Sequence, residues 1–432
     1  MSKKNNLYVC QGCGYESSKW MGSCPKCNEW NTFEEIATSD INTKARIDIG
    51  DIKVHNLNEI TTQETERFKT NIPELDRVLG GGFVDSQVVL ISGTPGIGKS
   101  TLLLQVADSI NSNVLYASGE ESAMQIASRA NRLGIDKNNI KILASNIIEE
   151  VTTYLARNND IKFVILDSIQ TFQTNQLNSR IGSSSQIKEC TNMIVEFAKK
   201  NNVVFIVVGH ITKAGDIAGP KLLEHMVDTV LLLEGDKQYL YRMLKAEKNR
   251  FGDTAEVGIF DMQQQGLISI TNPGEYFATT GEELLPGKAK GMYLEGNRPI
   301  LLEVEALLVR TTFGYPRRVA SGFNLNRLNL LSAVLEKSLN IDLSSHDIYL
   351  NVVSGLKVDE PGLDLAVCFA IFSSYNNVKL KDKTVFIGEV GLLGEVKKVA
   401  FEEKRIKEAE KLGFKNVLSS KNTKNIKLLN KV

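Results

Sequence analysis

The nonapeptide Gly93-Thr94-Pro95-Gly96-Ile97-Gly98-Lys99-Ser100-Thr101 has the residue types that hold a polyphosphate, at the required spacing. Its glycines let backbone N–H groups curl around phosphate oxygens at a helix start, where unsatisfied amides favour negative charge. In Gly93-x4-Gly98-Lys99-Ser100, Lys99 would reach the β- and γ-oxygens and the Ser100 hydroxyl would bind Mg2+, so the stretch reads as an ATP site. Asp167 closes the apolar run IKFVILD and suits outer-sphere Mg2+ binding. Glu120 and Glu121 close NVLYASGEE, where a carboxylate either orients an attacking water or is simply a charge at a helix N-terminus. His210 ends VVFIVVGH, a place for a γ-phosphate sensor.

A second chemistry lies at the amino end. Cys10-x2-Cys13 and Cys24-x2-Cys27 are two knuckles, each able to give two thiolates to one tetrahedral Zn2+. All four coordination positions would then be protein, leaving no open position for catalysis, so this is a docking or binding module. Trp20 and Trp30 are expected to brace so small a fold rather than stack on bases. Cys190 and Cys368 sit in apolar runs and read as core residues.

These positions need elements to hold them. SQVVLISGTPGIGKSTLLLQVADSI is strand, glycine loop and amphipathic helix in that order. Strands alternating with helical segments imply an α/β fold, a parallel doubly wound sheet with its site at the strand C-termini. At 432 residues the chain exceeds one core, and 51 basic against 51 acidic residues confine any nucleic-acid surface to a local patch. No apolar run suggests a membrane span and the start has no signal-like apolar region, so a cytoplasmic location without membrane contact is expected. The expected layout is a zinc ribbon over 1–34, a linker over 35–65, an ATPase domain over 66–270 and a further domain over 271–432.

One charged stretch, AEKNRFGD (246–253), follows a strand-like run. Alternate strand residues point the same way, so Lys248 and Arg250 could reach one target together. Taken alone, the stretch is more simply a solvated turn.

NIPELDRVLGGG, SGTPGIGKST, SGEES, LDSIQT, GHITKAGDIAGPKLLEHMVDT and KNRFG, in this order, resemble the bacterial RadA (Sms) family of recombination and repair proteins, relatives of the RecA recombinase. The resemblance covers nearly the whole chain. It implies a RecA-like ATPase core, a homohexameric ring, binding to single-stranded and branched DNA, ATP-driven branch migration, and work alongside RecA or other recombination proteins. An ATP-switched clamp or loader is the alternative. It further implies that Lys248 or Arg250 crosses to the neighbouring subunit's γ-phosphate, the other cation or Phe251 coupling nucleotide to DNA.

The last third resembles the proteolytic domain of the Lon family, an α+β fold. Laid on that pattern, the nucleophile position falls on Gly362 and the lysine position on Glu403, with Lys404 one place along. Neither Gly362 nor Glu403 can do that chemistry, so no protease is expected. Arg310, Arg317, Arg318 and Arg327 form a cationic run suited either to DNA phosphates or to a solvated surface.

Overall fold

The computed structural model describes residues 7–10, 13–30, 32–36, 67–136, 138–210, 222–235, 241–277, 285–312, 314–353, 356 and 358–431. They fall in two compact units, Met1–Ser269 and Ile270–Val432.

The amino-terminal ribbon is three short antiparallel strands, β1 (Leu7–Cys10), β2 (Glu16–Ser17) and β3 (Phe33–Ile36), in the order β2-β1-β3. β3 runs on to Ile36 because it pairs with β1 along its whole length; residues 37–66, most of the expected linker, lie outside the described residues. Cys10, Cys24 and Phe33 are its buried core, and Tyr15 meets Phe33 edge-on. The tryptophans do not brace it. Trp20 is 54% and Trp30 76% exposed, both rings lying over the bare backbone of Gly22. Four converging cysteines already supply the centre, which leaves the indoles outside.

The rest of the first unit begins with β4 (Arg67–Phe68), α1 (Pro73–Leu79) and β5 (Phe83–Val84). Then come β6 (Val88–Gly93), α2 (Lys99–Ser109), β7 (Asn113–Ser118), α3 (Ala123–Arg132), β8 (Ile140–Ala144), α4 (Ile148–Arg157), β9 (Ile161–Asp167), α5 (Ser184–Asn201) and β10 (Val204–Val208). It closes with α6 (Leu222–Met226), β11 (Thr229–Glu234), β12 (Tyr241–Asn249), β13 (Val257–Gln263) and β14 (Gly266–Ser269). The sheet order is β14-β13-β12-β11-β6-β10-β9-β7-β8. From β11 to β8 every pairing is parallel, and each face carries its own apolar cluster. This is why β6 and β10 are buried along their whole lengths and read as unbroken apolar runs. β12, β13 and β14 extend the sheet antiparallel at one edge, a departure from an all-parallel expectation.

The second unit has a six-stranded sheet in the order 318–321, 346–352, 298–310, 288–295, 384–386, 416–418. Helix Asp364–Asn376 is buried from Asp364 to Ser373, consistent with an apolar residue at nearly every position.

Candidate nucleotide site and zinc centre

The glycine loop leaves β6 at Gly93 and enters α2 at Lys99, with Thr94, Pro95 and Gly96 exposed at its crest and Ile97 buried beneath. Gly98 stands at φ +119°, and a Cβ there would lie 2.5 Å from the Met262 methyl of β13, so the edge hairpin packs directly on the loop. At Gly93 a Cβ would meet the Leu233 carbonyl of β11 at the same distance. Lys99 is buried, its Nζ donating to the Gly93 carbonyl at 2.8 Å and the Thr94 carbonyl at 3.2 Å. Burial lowers its pKa, while the carboxylates of Asp167 and Glu120 oppose the shift. Ser100 and Thr101 occupy the first turn of α2.

Asp167 ends β9 beside this lysine, and its Oδ2 accepts a 2.7 Å hydrogen bond from the buried Tyr116 hydroxyl on β7. Of the two adjacent glutamates, it is Glu120 that faces the site. Its Oε1 accepts from the Ser168 hydroxyl and lies 3.3 Å from His210 Nε2. His210 holds the Glu120 carboxyl below the usual range, the Ser168 hydroxyl and the Lys99 charge adding to this against partial burial. Glu121 instead pairs with Arg129 of α3 at 2.8 Å. Lys99, Asp167, Glu120 and His210 therefore converge at the carboxyl ends of β6, β9, β7 and β10.

Tyr116 and Ser168 were not anticipated from sequence, although a lone tyrosine inside the aliphatic run NVLYAS was a signal for the first. Nor was the hollow of about 490 Å3 beside the first turn of α2, lined by Thr101, Arg132, Leu133 and Met262 to Gly266. Arg242 of β12 donates to the Ile97 carbonyl at 3.3 Å and steadies the loop from the same side. The oxygens at hand suit Mg2+, the Ser100 hydroxyl as a direct ligand and the Asp167 carboxylate through a bound water.

Lys248 and Arg250 lie elsewhere. β12 runs antiparallel to β11, pairing Asn249 with Thr229, and β11 pairs Thr229 with Val89 and Leu233 with Gly93. Arg250 thus sits next to the amino end of β6, five residues or about 17 Å of strand from Gly93. The two cations do meet one target, the segment Glu224–Asp228 of their own chain. Lys248 Nζ donates to the carbonyls of Glu224 (2.8 Å) and Val227 (2.7 Å), and Arg250 Nη1 is 3.1 Å from Asp228 Oδ1. A register shift opposite Val230 and Leu231 re-aims the end of β12. The other letters of KNRFG hold the turn. Asn249 Nδ2 donates to the carbonyls of Val78 and Leu79, and Gly252 approaches Gly80 so closely that a Cβ would stand 3.3 Å from its Cα.

In the ribbon, the Cys10, Cys13, Cys24 and Cys27 sulfurs lie within 4.8 Å of one another, with contacts of 3.6 Å (Cys10–Cys27) and 3.5 Å (Cys13–Cys24). A tetrahedral Zn2+ with Zn–S near 2.3 Å sets its sulfurs about 3.8 Å apart, so the four fit that ion. The Thr32 hydroxyl, 3.1 Å from Cys10 Sγ, adds a donor to the thiolate. Cys24→Ser is expected to release about one zinc per chain and unfold the ribbon while nucleotide binding persists; metal analysis with a nucleotide titration checks it.

In the second unit, the Gly362 position is filled by other side chains. A Cβ there would stand 2.2 Å from Arg405 Nη1 and 2.5 Å from Glu360 Oε1, which pair with each other at 2.6 Å. Glu403 is exposed and pairs with Lys421. The arginine run is not one free surface. Arg327 forks onto the buried Asp364, and Arg318 donates to the His346 and Leu343 carbonyls at 2.6 and 2.8 Å. Counting cations along the sequence could not reveal those partners.

Fold and site define a RecA-like phosphate-loop ATPase carrying a four-cysteine zinc ribbon. Residues 68–147 match the KaiC ATPase family, residues 8–35 the rubredoxin metal binding domain and residues 327–423 subunit ChlI of Mg-chelatase. The chain is 45% identical to the DNA repair protein RadA of Listeria monocytogenes over 98% of this chain and 93% of that one. Against RadA of Bacillus subtilis the identity is 46%, covering 97% and 93%. The chain belongs to the family of the DNA repair protein RadA. Among the described residues no helix is long and apolar enough to cross a membrane.

Proposed function

We propose that this chain is a DNA-dependent ATPase of recombinational repair. In this reading it remodels branched intermediates by ATP-driven translocation on single-stranded DNA, as a cytoplasmic homohexamer acting with a recombinase such as RecA. The observation that carries it is the separation of Arg250 from its own phosphate loop by the length of β6. A cation so placed cannot serve its own nucleotide but can serve a neighbour's, which makes hydrolysis a property of the assembled ring.

At each interface the amides from Gly93 to Gly98 and the Lys99 ammonium hold the β- and γ-phosphates. Ser100 and Asp167 would hold Mg2+, which supplies charge neutralisation between those phosphates when bound. Tyr116 fixes the Asp167 carboxylate. Glu120, kept anionic by His210 and Ser168, orients the water for in-line attack, and His210 is placed to report the γ-phosphate. The hollow lined by Gln263, Gln264, Gln265 and Arg132 has room for the base and ribose.

The second unit serves as a scaffold without peptidase activity, because the ion pair of Arg405 and Glu360 occupies the space a nucleophile would need. A forked DNA with an annealed third strand tests the motor. Strand displacement with a fixed polarity, abolished by a non-hydrolysable ATP analogue, is expected. Full function with the analogue would identify an ATP-switched clamp or loader instead.

A further inference from the structure

KNRFG carries two cations, and they are held differently. The Lys248 ammonium is bound by backbone carbonyls on either side of the end of α6, the place where a helix leaves carbonyls unsatisfied. Burial lowers its pKa and the neighbouring Arg250 charge adds to this, against the carboxylates of Asp228 and Glu224. Its donors are used within its own chain.

Arg250 is different. Its side chain is half exposed, and of its side-chain nitrogens it is Nη1 that meets Asp228. Asp228 is 6% exposed and fixed from behind: its Oδ2 accepts the Val88 N–H at 3.0 Å, and its main-chain carbonyl accepts the Arg250 N–H at 3.1 Å. One carboxylate thus joins the first residue of β6 to a guanidinium whose far side faces solvent.

We propose that Asp228 is a positioning residue that presents Arg250 to the neighbouring subunit's nucleotide, and that Lys248 is the cap of α6 and not a second cation of that site. The proposal rests on the reading of Arg250 given above. An arginine on a long side chain samples many rotamers, and a buried carboxylate at one edge of the guanidinium selects among them while leaving the remaining N–H groups for phosphate oxygens.

The test uses the full chain and four proteins: parent, Asp228→Asn, Arg250→Ala and the double variant. Asparagine keeps an oxygen for the Val88 N–H but removes the charge that orients Arg250. ATP turnover by Asp228→Asn is expected to fall roughly 10^2-fold, the scale of a misplaced catalytic group, with KM unchanged. In the double variant the loss should equal that of Arg250→Ala alone. Asp228→Asn should also regain turnover when assembled into mixed rings with Lys99→Ala, since its own phosphate loop is sound.

A multiplicative loss in the double variant, or no recovery in mixed rings confirmed by mass, would show that Asp228 acts on its own subunit and overturn the inference. So would full activity of Asp228→Asn beside an inactive Arg250→Ala, whereas full activity of Arg250→Ala would sink the underlying reading of that arginine. If Asp228→Asn fails to fold by circular dichroism, Asp228→Glu, which keeps the charge but displaces it, supplies the same comparison. Lys248→Gln provides the second arm. It should lower hydrogen-exchange protection in 222–228, and its residual turnover loss should not be recovered by Lys99→Ala subunits; recovery would return Lys248 to the shared site.

Discussion

Arg250→Ala is expected to bind ATP as the parent does and to hydrolyse it about 10^3 to 10^5-fold more slowly, the range over which an arginine finger accelerates other nucleotide hydrolases. Binding survives because the glycine loop, Lys99, Ser100 and Asp167 are all at the other end of β6 from the lost guanidinium. Lys99→Ala should fail at the opposite step, weakening nucleotide binding through loss of a charge-assisted phosphate contact. Each variant alone should then retain little turnover. Mixed rings assembled from dissociated subunits contain some interfaces that pair an intact loop with an intact Arg250, so part of the activity should return. Nucleotide titration, turnover and mass measurement of the rings together check this. No recovery in verified mixed rings, across several ratios, would assign Arg250 to its own subunit or to DNA.

Gly362→Ser is expected to destabilise the second unit and give no peptidase. The added Cβ would stand 2.2 Å from a nitrogen of Arg405, a fully buried guanidinium that also donates to the Met292 carbonyl at 2.7 Å and the Ala400 carbonyl at 3.0 Å. Pushing it aside breaks its pairing with Glu360 and leaves a buried charge uncompensated, which costs about 3–5 kcal/mol. Hydrogen exchange on the full chain should show lost protection in 364–376. Adding Glu403→Lys should not help, because position 403 is exposed and paired with Lys421. ATP-dependent release of peptides from an unfolded substrate by the double variant would overturn this.

What could be read in advance followed the range of the forces involved. The phosphate loop and the four cysteines were legible because their chemistry is local: glycine, lysine and serine within nine residues, and thiolates at knuckle spacing. The parallel core was legible through its apolar runs. What depends on which way a side chain turns was not. Glu120 and Glu121 are neighbours in a loop, and only the placement of Ser168, His210 and Arg129 separates them. Tryptophan says apolar, not inside, and Trp20 and Trp30 lie outside. Arg318 and Arg327 look like free cations until Asp364 and two backbone carbonyls are seen beside them. The antiparallel edge of β12 to β14 was not legible, because the packing of Met262 and Leu267 from its last two strands on Gly98 is a tertiary event.

β12 spans about 27 Å as a single strand within the sheet. Near one end Arg242 touches the carbonyl of Ile97 in the phosphate loop; past the other stands Arg250. In a closed ring of such subunits this strand would be a rigid connecting rod. A shift of the loop on nucleotide exchange would be passed, undamped by any flexible linker, to the guanidinium that meets the next nucleotide. Firing order around the ring would then be set by the sheet itself, each subunit timing its neighbour, with no need for a separate signal between them.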